Sequence, residues 1–312
     1  MCDTNLTQVT QIHLLGFEGV YKLKPLFFIV VLLTYVMILS GNILIIALVT
    51  TTDHLKIPMF IFLKHLAAAD IFMSTSVLPM MLHILLINDG SLTLIGCIVQ
   101  LTCFGIFGCV QCFLIAVMSF DRYLAICIPL RYASLMNPHV CLQLVIVLWI
   151  LGTVLISSEI IVVCQLNFCS LNCIDHFFCD FGPLVELSNS DKYYFMIQDL
   201  VTSLFIIPLP FVFIVITYIF ISFAIMKLTT ANGRRKAFST CSSHLATVCT
   251  SYGTLITVYM VPTDYSTANI NKYRSLLYIV VSPIMNPVIY SLRNQEIKKV
   301  LLKLLNDIRS AN

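Results

Sequence analysis

Seven long apolar segments constrain the fold of this chain more than any other feature of the sequence. A helix of about 20 apolar residues crosses the hydrocarbon core of a bilayer. The chain is 59% hydrophobic and 11% charged, whereas a soluble domain carries about 25% charged residues. We therefore predict an all-α membrane protein, a seven-transmembrane helix bundle, rather than a soluble domain. The predicted segments are residues 25–49, 58–87, 95–126, 140–164, 193–226, 238–261 and 270–292.

The distribution of Lys and Arg residues predicts how the bundle is oriented. With the N-terminus outside, most basic residues fall on the cytoplasmic side, as the positive-inside rule requires. The net charge of +3 is then a topology signal and does not indicate a nucleic-acid partner. The predicted outer N-terminal segment contains the glycosylation motif Asn5-Leu6-Thr7, so we expect a glycan on Asn5. The basic residues outside are Lys22, Lys24, Lys192, Lys272 and Arg274.

Seven helices joined by short links leave no room for a second domain. We predict an extracellular segment at residues 1–24, the bundle at 25–292 and a cytoplasmic tail at 293–312. No charged segment precedes a short apolar run at the start, so we expect no cleaved signal peptide. The tail places apolar residues at helical spacing, which predicts an amphipathic helix on the inner leaflet with membrane lipid as its partner. These apolar residues are Ile297, Val300, Leu301, Leu304 and Leu305.

Asp121 and Arg122 form a charged pair directly after a long apolar run. A charged residue at membrane depth costs at least ~2.5–3.5 kcal/mol on insertion scales, so the pair requires an explanation. One interpretation is a pair that reaches for the headgroups at a helix end. The other is a switch, in which Asp121 holds Arg122 in one state and releases it to another partner in the next.

Polar residues inside other segments offer further candidate sites. Asp70 lies midway along the second segment, and its carboxylate could share water or Na⁺ with the amides of Asn42 and Asn286. The alternative is a protonated Asp70 that bonds within the bundle. Glu159 and Asp199 lie near outer helix ends, where they could favour a cationic ligand or simply reach for the headgroups.

Prolines predict two irregular helices. Pro287 follows Asn286 in the seventh segment, with Tyr290 one turn further on, and Pro208 and Pro210 lie in the fifth segment with Tyr218 two turns below. Proline removes a backbone hydrogen bond and kinks or breaks a helix, so both helices could contain moving parts. The alternative is the ordinary tolerance of proline in membrane helices.

The longest external connection, residues 165–192, contains Cys169, Cys173 and Cys179. The compartment outside the cell is oxidising, so disulfides are expected there. Cys97 opens the third segment on the same side, which makes Cys97–Cys179 the best pairing, although spacing alone does not settle connectivity.

Asp121-Arg122-Tyr123 and Asn286-Pro287-Val288-Ile289-Tyr290, together with seven helices, resemble the rhodopsin-like G-protein-coupled receptors. Within that class the chain resembles an odorant (olfactory) receptor from end to end. Looser agreement extends over NLTQVTQIHLLGF and KIPMFIFLKHLAAAD. The matching strings are MSFDRYLAICIPLRY (118–132), HFFCD (176–180), KAFSTCSSHL (236–245) and PIMNPVIYSLRN (283–294).

The resemblance implies detection of a small-molecule odorant, coupled to a stimulatory heterotrimeric G protein that raises cyclic AMP. It implies a receptor with no cofactor and no enzymatic activity. Arg122 would meet the G protein once the sixth helix swings out, with Tyr218 and Tyr290 steadying the open state. The implied switch residues are Asp121, Arg122, Tyr123, Tyr218, Lys236, His244 and Tyr290. The implied pocket residues are Phe104, Gly105, Gly108, Thr202, Phe205, Tyr252, Leu255, Tyr259, Leu276 and Ile279.

Three departures from the family pattern matter. Gln111 stands where the family commonly has a glutamate, so at most a weak sodium site is expected in the network of Asn42, Asp70, Gln111 and Asn286. The loop lacks the family's further cysteine near Asn189, so Cys169 and Cys173 either pair or remain free. Residues 229–245 contain no acid, so Asp121 and an unidentified hydroxyl must hold Arg122.

Other classes fit the residues less well. A retinal-binding opsin needs a lysine midway along the seventh helix, and residues 275–292 contain none. An aminergic receptor would carry an acid where this chain has Phe104. A transporter would show an internal repeat, and an intramembrane enzyme would show an HExxH motif or a buried Asp pair; the sequence shows none of these.

Overall fold

The structure, a computed structural model, describes residues 10–17, 23–168, 172–259, 268–294 and 296–303, and the side chain of Lys236 is among those outside the description. Helices dominate this part of the chain, with a short 3-10 turn at Asp53–Leu55 and a helical segment at Glu296–Lys303. The helices are α1 (Lys24–Thr51), α2 (Pro58–Ile87), α3 (Leu94–Cys127), α4 (Pro129–Leu135), α5 (Pro138–Val163), α6 (Phe181–Glu186), α7 (Tyr193–Ile206), α8 (Pro208–Met226), α9 (Ala231–Tyr259) and α10 (Ala268–Arg293).

Within the described residues, five helical spans are long and apolar enough to cross a membrane by length and composition: α1, α2, α3, α5 and Tyr193–Met226, which contains α7 and α8. A sixth is added if Ile270–Ser291 and Glu296–Lys303 are counted as one bent span. Helix α9 packs against α3, α8 and α10 and completes the bundle. Its first turns contain Arg234 and Arg235, which lowers its mean hydropathy and makes it longer than the predicted apolar segment. The predicted all-α membrane bundle is confirmed.

The surface of the bundle is apolar, as a lipid environment requires. Large hydrophobic side chains such as Leu33, Val154 and Phe220 are exposed on the outer faces of their helices. Polar side chains lie between the helices instead; Asn42 and Asp70 are completely buried. Lipid tails are as apolar as leucine, so buried polar groups rather than hydrophobic burial make the helix contacts specific.

Prolines begin several helices and interrupt one span. Pro208 follows the break between α7 and α8, because proline cannot donate to the preceding turn. Pro287 lies inside α10, which continues through it, so the predicted break at Asn286-Pro287 does not occur. The missing N–H of Pro287 leaves the carbonyl of Pro283 without its helical partner, and the Asn42 amide donates to that carbonyl at 2.9 Å. The Asn42 side chain therefore replaces the backbone donor that Pro287 lacks.

A small sheet closes one end of the bundle. Strand β1 (Gln11–Leu14) lies between β2 (Ser91–Thr93), which is antiparallel to it, and β3 (Cys173–Ile174), which is parallel. The approach of β1 is so close that a Cβ on Gly90 would lie 2.0 Å from the Leu14 carbonyl oxygen. We call this the sheet end and the opposite end, which holds Arg122, the Arg122 end.

The sheet was not predicted, because residues 1–24 have a mixed polar sequence and were assigned to an extracellular segment without secondary structure. Within it, Ile12, Leu14 and Phe17 are buried. Ile12 and Leu14 alternate on one face of β1 and join a core cluster with Ile174 and Cys179. A four-residue strand carries too little alternation to be recognised without knowledge of its partners.

Candidate functional site

Asp121 and Arg122 are both buried at the Arg122 end of α3. The Arg122 Nε donates to Asp121 Oδ2 at 3.0 Å, and Nη2 contacts the same oxygen. The hydroxyl of Tyr132, on α4, donates to the other oxygen, Oδ1, at 2.8 Å. Burial and the adjacent Asp121 carboxylate raise the pKa of Tyr132, so this hydroxyl keeps its proton. Both oxygens of the carboxylate therefore have donors, which offsets the cost of burying the charge.

Tyr132 supplies the hydroxyl that the sequence required but did not identify. It lies eleven positions after Asp121, in a short helix that ordinary periodicity does not connect with α3. Tyr123, the residue after Arg122, does not take part in this arrangement. Its ring contacts Phe120 and, on α8, Phe220 at centroid distances of 6.2 and 6.0 Å.

His244 joins three helices near the Arg122 end. Its Nε2 donates to the carbonyl of Ile115 on α3 at 3.0 Å, and its Nδ1 is hydrogen-bonded to the Tyr218 hydroxyl on α8 at 2.7 Å. A carbonyl can only accept, so Nε2 carries a hydrogen. The Tyr218 and His244 rings are nearly parallel, 3° apart. The His244 imidazole thus fastens α9 to both α3 and α8.

Tyr290 completes the group of predicted switch residues that the structure brings together. It is fully buried on α10, and its hydroxyl has no partner among the described residues. The side chains of Tyr290, Tyr218 and Arg122 are close enough to interact electrostatically with one another. Lys236 lies outside the described side chains.

Asp70 is the centre of a buried network between α2, α3 and α10. The Gln111 Nε2 donates to Asp70 Oδ1, and the Asn286 Nδ2 donates to Asp70 Oδ2 at 2.8 Å. The hydroxyl of Tyr278 donates to Gln111 Oε1 at 3.4 Å. Asn42 was grouped with Asp70 from sequence, but its amide donates to the carbonyls of Ile38 and Pro283 instead.

The predicted pocket residues fall into a buried set and a peripheral set. Phe104 contacts Phe178 and Tyr278 at ring distances of 5.0 and 6.2 Å, and Gly108 lies beneath the Tyr278 hydroxyl. Gly105 instead allows the close packing of Ile156 from α5, 3.1 Å from where a Cβ would lie. Leu276 is half-buried. The buried members are Phe104, Gly108, Thr202, Tyr252, Leu255 and Ile279.

The structure does not bring Phe205 into this group. The buried face of α7 is defined by Phe195 and Thr202, seven residues apart, and Phe205 lies off that face with 51% of its surface exposed. Tyr259 is 46% exposed, although its hydroxyl lies within electrostatic range of Asp180, Asp199 and Glu159.

Tyr278 and Phe178 were missed from sequence. A signal for Tyr278 existed, because Tyr278, Ser282, Asn286 and Tyr290 recur every four residues on one face of α10. Phe178 lies in a loop, where no periodicity places it. The one sequence signal near Phe178 is the adjacent Cys179, which was predicted to form a disulfide.

Cys97 and Cys179 form a disulfide at the sheet end. The Cys179 N–H donates to Gln100 Oε1 at 2.9 Å, and Gln100 in turn donates to the Ser76 carbonyl on α2. Cys173 is a free thiol, so the structure does not show the Cys169–Cys173 alternative, and Cys169 and Asn5 lie outside the described residues. The loop that ends at Cys179 is therefore fixed to α2 and α3.

A second set of contacts holds this loop over the bundle. Lys272 on α10 is 1% exposed and forms an ion pair with Asp175. His176 beside it is buried, and burial together with the positive charge of Lys272 lowers the pKa of His176 to about 3. Phe17 stacks on Phe177 at 5.2 Å. The loop and the strand before α1 together form a lid across the sheet end.

Glu159 is buried on α5 and lies within electrostatic range of Asp199 on α7. Burial and the negative charge of Asp199 raise the pKa of Asp180, at the start of α6, to about 6. The cation-site hypothesis for Glu159 and Asp199 stays a prediction. Among the described residues no group of three or more His, Cys, Asp or Glu side chains is arranged to hold a metal ion.

Comparison with known proteins gives the family. The olfactory receptor family model matches residues 31–308. The chain is 42% identical over 303 residues to olfactory receptor 11A1 of Homo sapiens, covering 97% of this chain and 96% of that one. It is 43% identical over 305 residues to olfactory receptor 5P81 of Mus musculus, covering 98% and 97%. Similarity of this extent over nearly the whole length shows that the chain belongs to the olfactory receptor family.

Proposed function

We propose that this protein is an odorant receptor that activates a stimulatory heterotrimeric G protein and thereby raises cyclic AMP. The observation that carries the proposal is the buried Asp121–Arg122 pair. Among the described residues, Arg122 is hydrogen-bonded only to Asp121, and Asp121 is in turn hydrogen-bonded by Tyr132. A buried arginine with a single carboxylate partner can be released by small movements, as a switch requires. Family membership supports the odorant role.

The ligand site that we propose lies between α3, α7, α9 and α10, below the lid. Its buried residues are mainly apolar, with hydroxyls at Thr202 and Tyr252. Such a site binds a small apolar molecule chiefly by removing its surface from water, and one or two hydroxyls orient it.

Activation would move α9 away from α3 at the Arg122 end. That movement has to break the His244 hydrogen bond to Ile115, and the bond to Tyr218 has to rearrange. Each such bond contributes about 0.5–1.5 kcal/mol, so ligand binding can supply the difference. Arg122 would then turn from Asp121 to the G protein, with Tyr218 and Tyr290 alongside it.

We propose a plasma-membrane location with the sheet end and residues 1–24 outside. The disulfide at the sheet end requires an oxidising compartment, and Arg131 and Arg234 lie toward the Arg122 end. The tail at residues 293–312 would lie on the inner leaflet. Within it Ile297 and Val300 are buried against the bundle, so part of the predicted apolar stripe packs on protein.

The proposal is tested by an odorant screen in cells that report cyclic AMP, with wild-type receptor and Arg122→Ala at equal surface density. We expect at least one odorant to raise cyclic AMP through the wild type and not through Arg122→Ala. Binding of that odorant should persist in the variant, because Arg122 lies at the opposite end from the pocket. An Arg122→Ala receptor with an unchanged response would refute the switch.

A further inference from the structure

Each carboxylate oxygen of Asp70 accepts a hydrogen bond from an amide of its own protein. One oxygen receives the Gln111 amide N–H and the other receives the Asn286 amide N–H. Asp70, Gln111 and Asn286 are all buried. Two donors directed at one carboxylate satisfy it without a counter-ion.

The amide of Gln111 serves both of its neighbours without a titratable proton or an ion. Its nitrogen donates to Asp70 while its oxygen accepts from the Tyr278 hydroxyl. The glutamate that the family commonly carries there is an acceptor only when ionised. It would face Asp70 as a second negative charge, and a pair of buried carboxylates requires a proton or a cation between them.

A sodium ion therefore does not fit the site as this chain builds it. Acceptor oxygens are present, because Asn286 Oδ1 and Ser74 Oγ are buried without partners among the described residues. Both are neutral, however, and the one carboxylate is already approached by N–H groups. Those groups carry partial positive charge and repel a cation, so both amides would have to turn before sodium could bind.

We propose that Gln111 takes the place of a cation in this receptor. Gln111 joins Tyr278, Asp70 and Asn286 into one hydrogen-bonded relay across α10, α3 and α2, and the receptor is insensitive to sodium as a result. Tyr278 is a positioning residue in this relay, since its hydroxyl fixes which way the Gln111 amide points. The Tyr278 ring also contacts Phe104, so the relay begins at the proposed ligand pocket.

The test uses purified full-length receptor in detergent and measures its thermal unfolding midpoint in NaCl and in KCl at equal ionic strength. This readout does not depend on an odorant or on G-protein coupling, so its outcome is independent of the proposed function. We expect the same midpoint for the wild type in both salts. A specific ion at several times its Kd would raise the midpoint in NaCl by about 2–4 °C.

Gln111→Glu is the decisive variant, because it restores the second carboxylate. We expect it to acquire a saturable rise in midpoint with NaCl that Asp70→Asn abolishes. Gln111→Ser, which removes the N–H donor and offers an oxygen, serves if the glutamate variant does not fold. A sodium-dependent midpoint in the wild type that Asp70→Asn removes would overturn the proposal. Wild-type and substituted receptors that are equally insensitive would also overturn it, since Gln111 would then not be the cause.

Tyr278→Phe tests the positioning role without changing the ring contact with Phe104. Without the hydroxyl, the Gln111 amide is free to turn its oxygen toward a cation, and we expect a sodium response smaller than that of Gln111→Glu. Tyr35→Phe is the matched control, because it also removes one hydroxyl bond, to Thr75 at 3.1 Å, and that bond involves no member of the relay. Tyr278→Phe without any sodium response would refute the role given to Tyr278.

Discussion

Removing the hydroxyl of Tyr132 should raise signalling in the absence of any ligand. In the structure this hydroxyl donates to Asp121 Oδ1 at 2.8 Å, while Arg122 occupies Oδ2. Tyr132→Phe keeps the ring, which packs against the core, and removes only this bond. The Asp121 carboxylate would then hold Arg122 in a less fixed position.

The size of the effect follows from the kind of hydrogen bond that is lost. A hydrogen bond to a charged group contributes about 1.5–3 kcal/mol, and we take the lower end because Tyr132 is only half-buried. A loss of about 1.4 kcal/mol from the resting state changes its ratio to the active state about tenfold. Where few receptors are active at rest, basal cyclic AMP should rise by up to the same factor.

The assay is basal cyclic AMP at equal surface density for the wild type, Tyr132→Phe, Asp121→Asn and the control Tyr35→Phe. Asp121→Asn should also raise the basal signal, and adding Tyr132→Phe to it should change little, because the bond acts through Asp121. Basal signalling that rises in Asp121→Asn but not in Tyr132→Phe would refute the role of the hydroxyl. No rise in either would refute the resting clamp itself.

Three further predictions concern His244, His176 and Gly90. His244→Phe removes the bonds to Ile115 and Tyr218, about 1–3 kcal/mol in all, and should raise basal cyclic AMP; an unchanged basal signal would count against the α9 fastening. The pKa of His176 is about 3 in the folded protein and near 6.5 when unfolded, so the unfolded chain takes up the proton first. Stability should therefore fall as pH drops below about 6.5, by about 2 kcal/mol between pH 7 and 5. Asp180, with its raised pKa, acts in the opposite direction, so the comparison with His176→Phe in thermal melts isolates the histidine; equal pH slopes would contradict the assignment. Gly90→Ala would place a Cβ 2.0 Å from the Leu14 carbonyl oxygen and should sharply reduce surface expression by displacing β1. Gly182→Ala, with no atom within 4 Å of its added Cβ, should not, and equal expression of the two would show that the sheet is dispensable.

The parts of the fold that could be predicted are those encoded in long apolar runs. Helices α2 and α3 lie within a residue or two of their predicted segments, because a bilayer demands both length and hydrophobicity. Strand β1 could not be predicted, since four residues derive their structure from partners some 80 and 160 positions away. Long-range pairing of this kind leaves almost no local signal.

The candidate site shows the same division. Asp70, Asp121 and Arg122 stood out because charge inside an apolar segment is costly. Their neutral partners did not, since a tyrosine such as Tyr132 or Tyr278 is common in membrane helices and loops. Asn42 was found, but its bond to Pro283 was not, because sequence could not show that Pro287 leaves the Pro283 carbonyl in need of a donor.

The most direct test of the central claim is odorant-evoked cyclic AMP in cells that lack stimulatory Gα subunits, with and without an olfactory stimulatory Gα restored. The account predicts that an odorant active on the wild type evokes a response only after restoration, and that Arg122→Ala abolishes it at equal surface density. A response that persists without any stimulatory Gα, or that survives Arg122→Ala, would contradict the account.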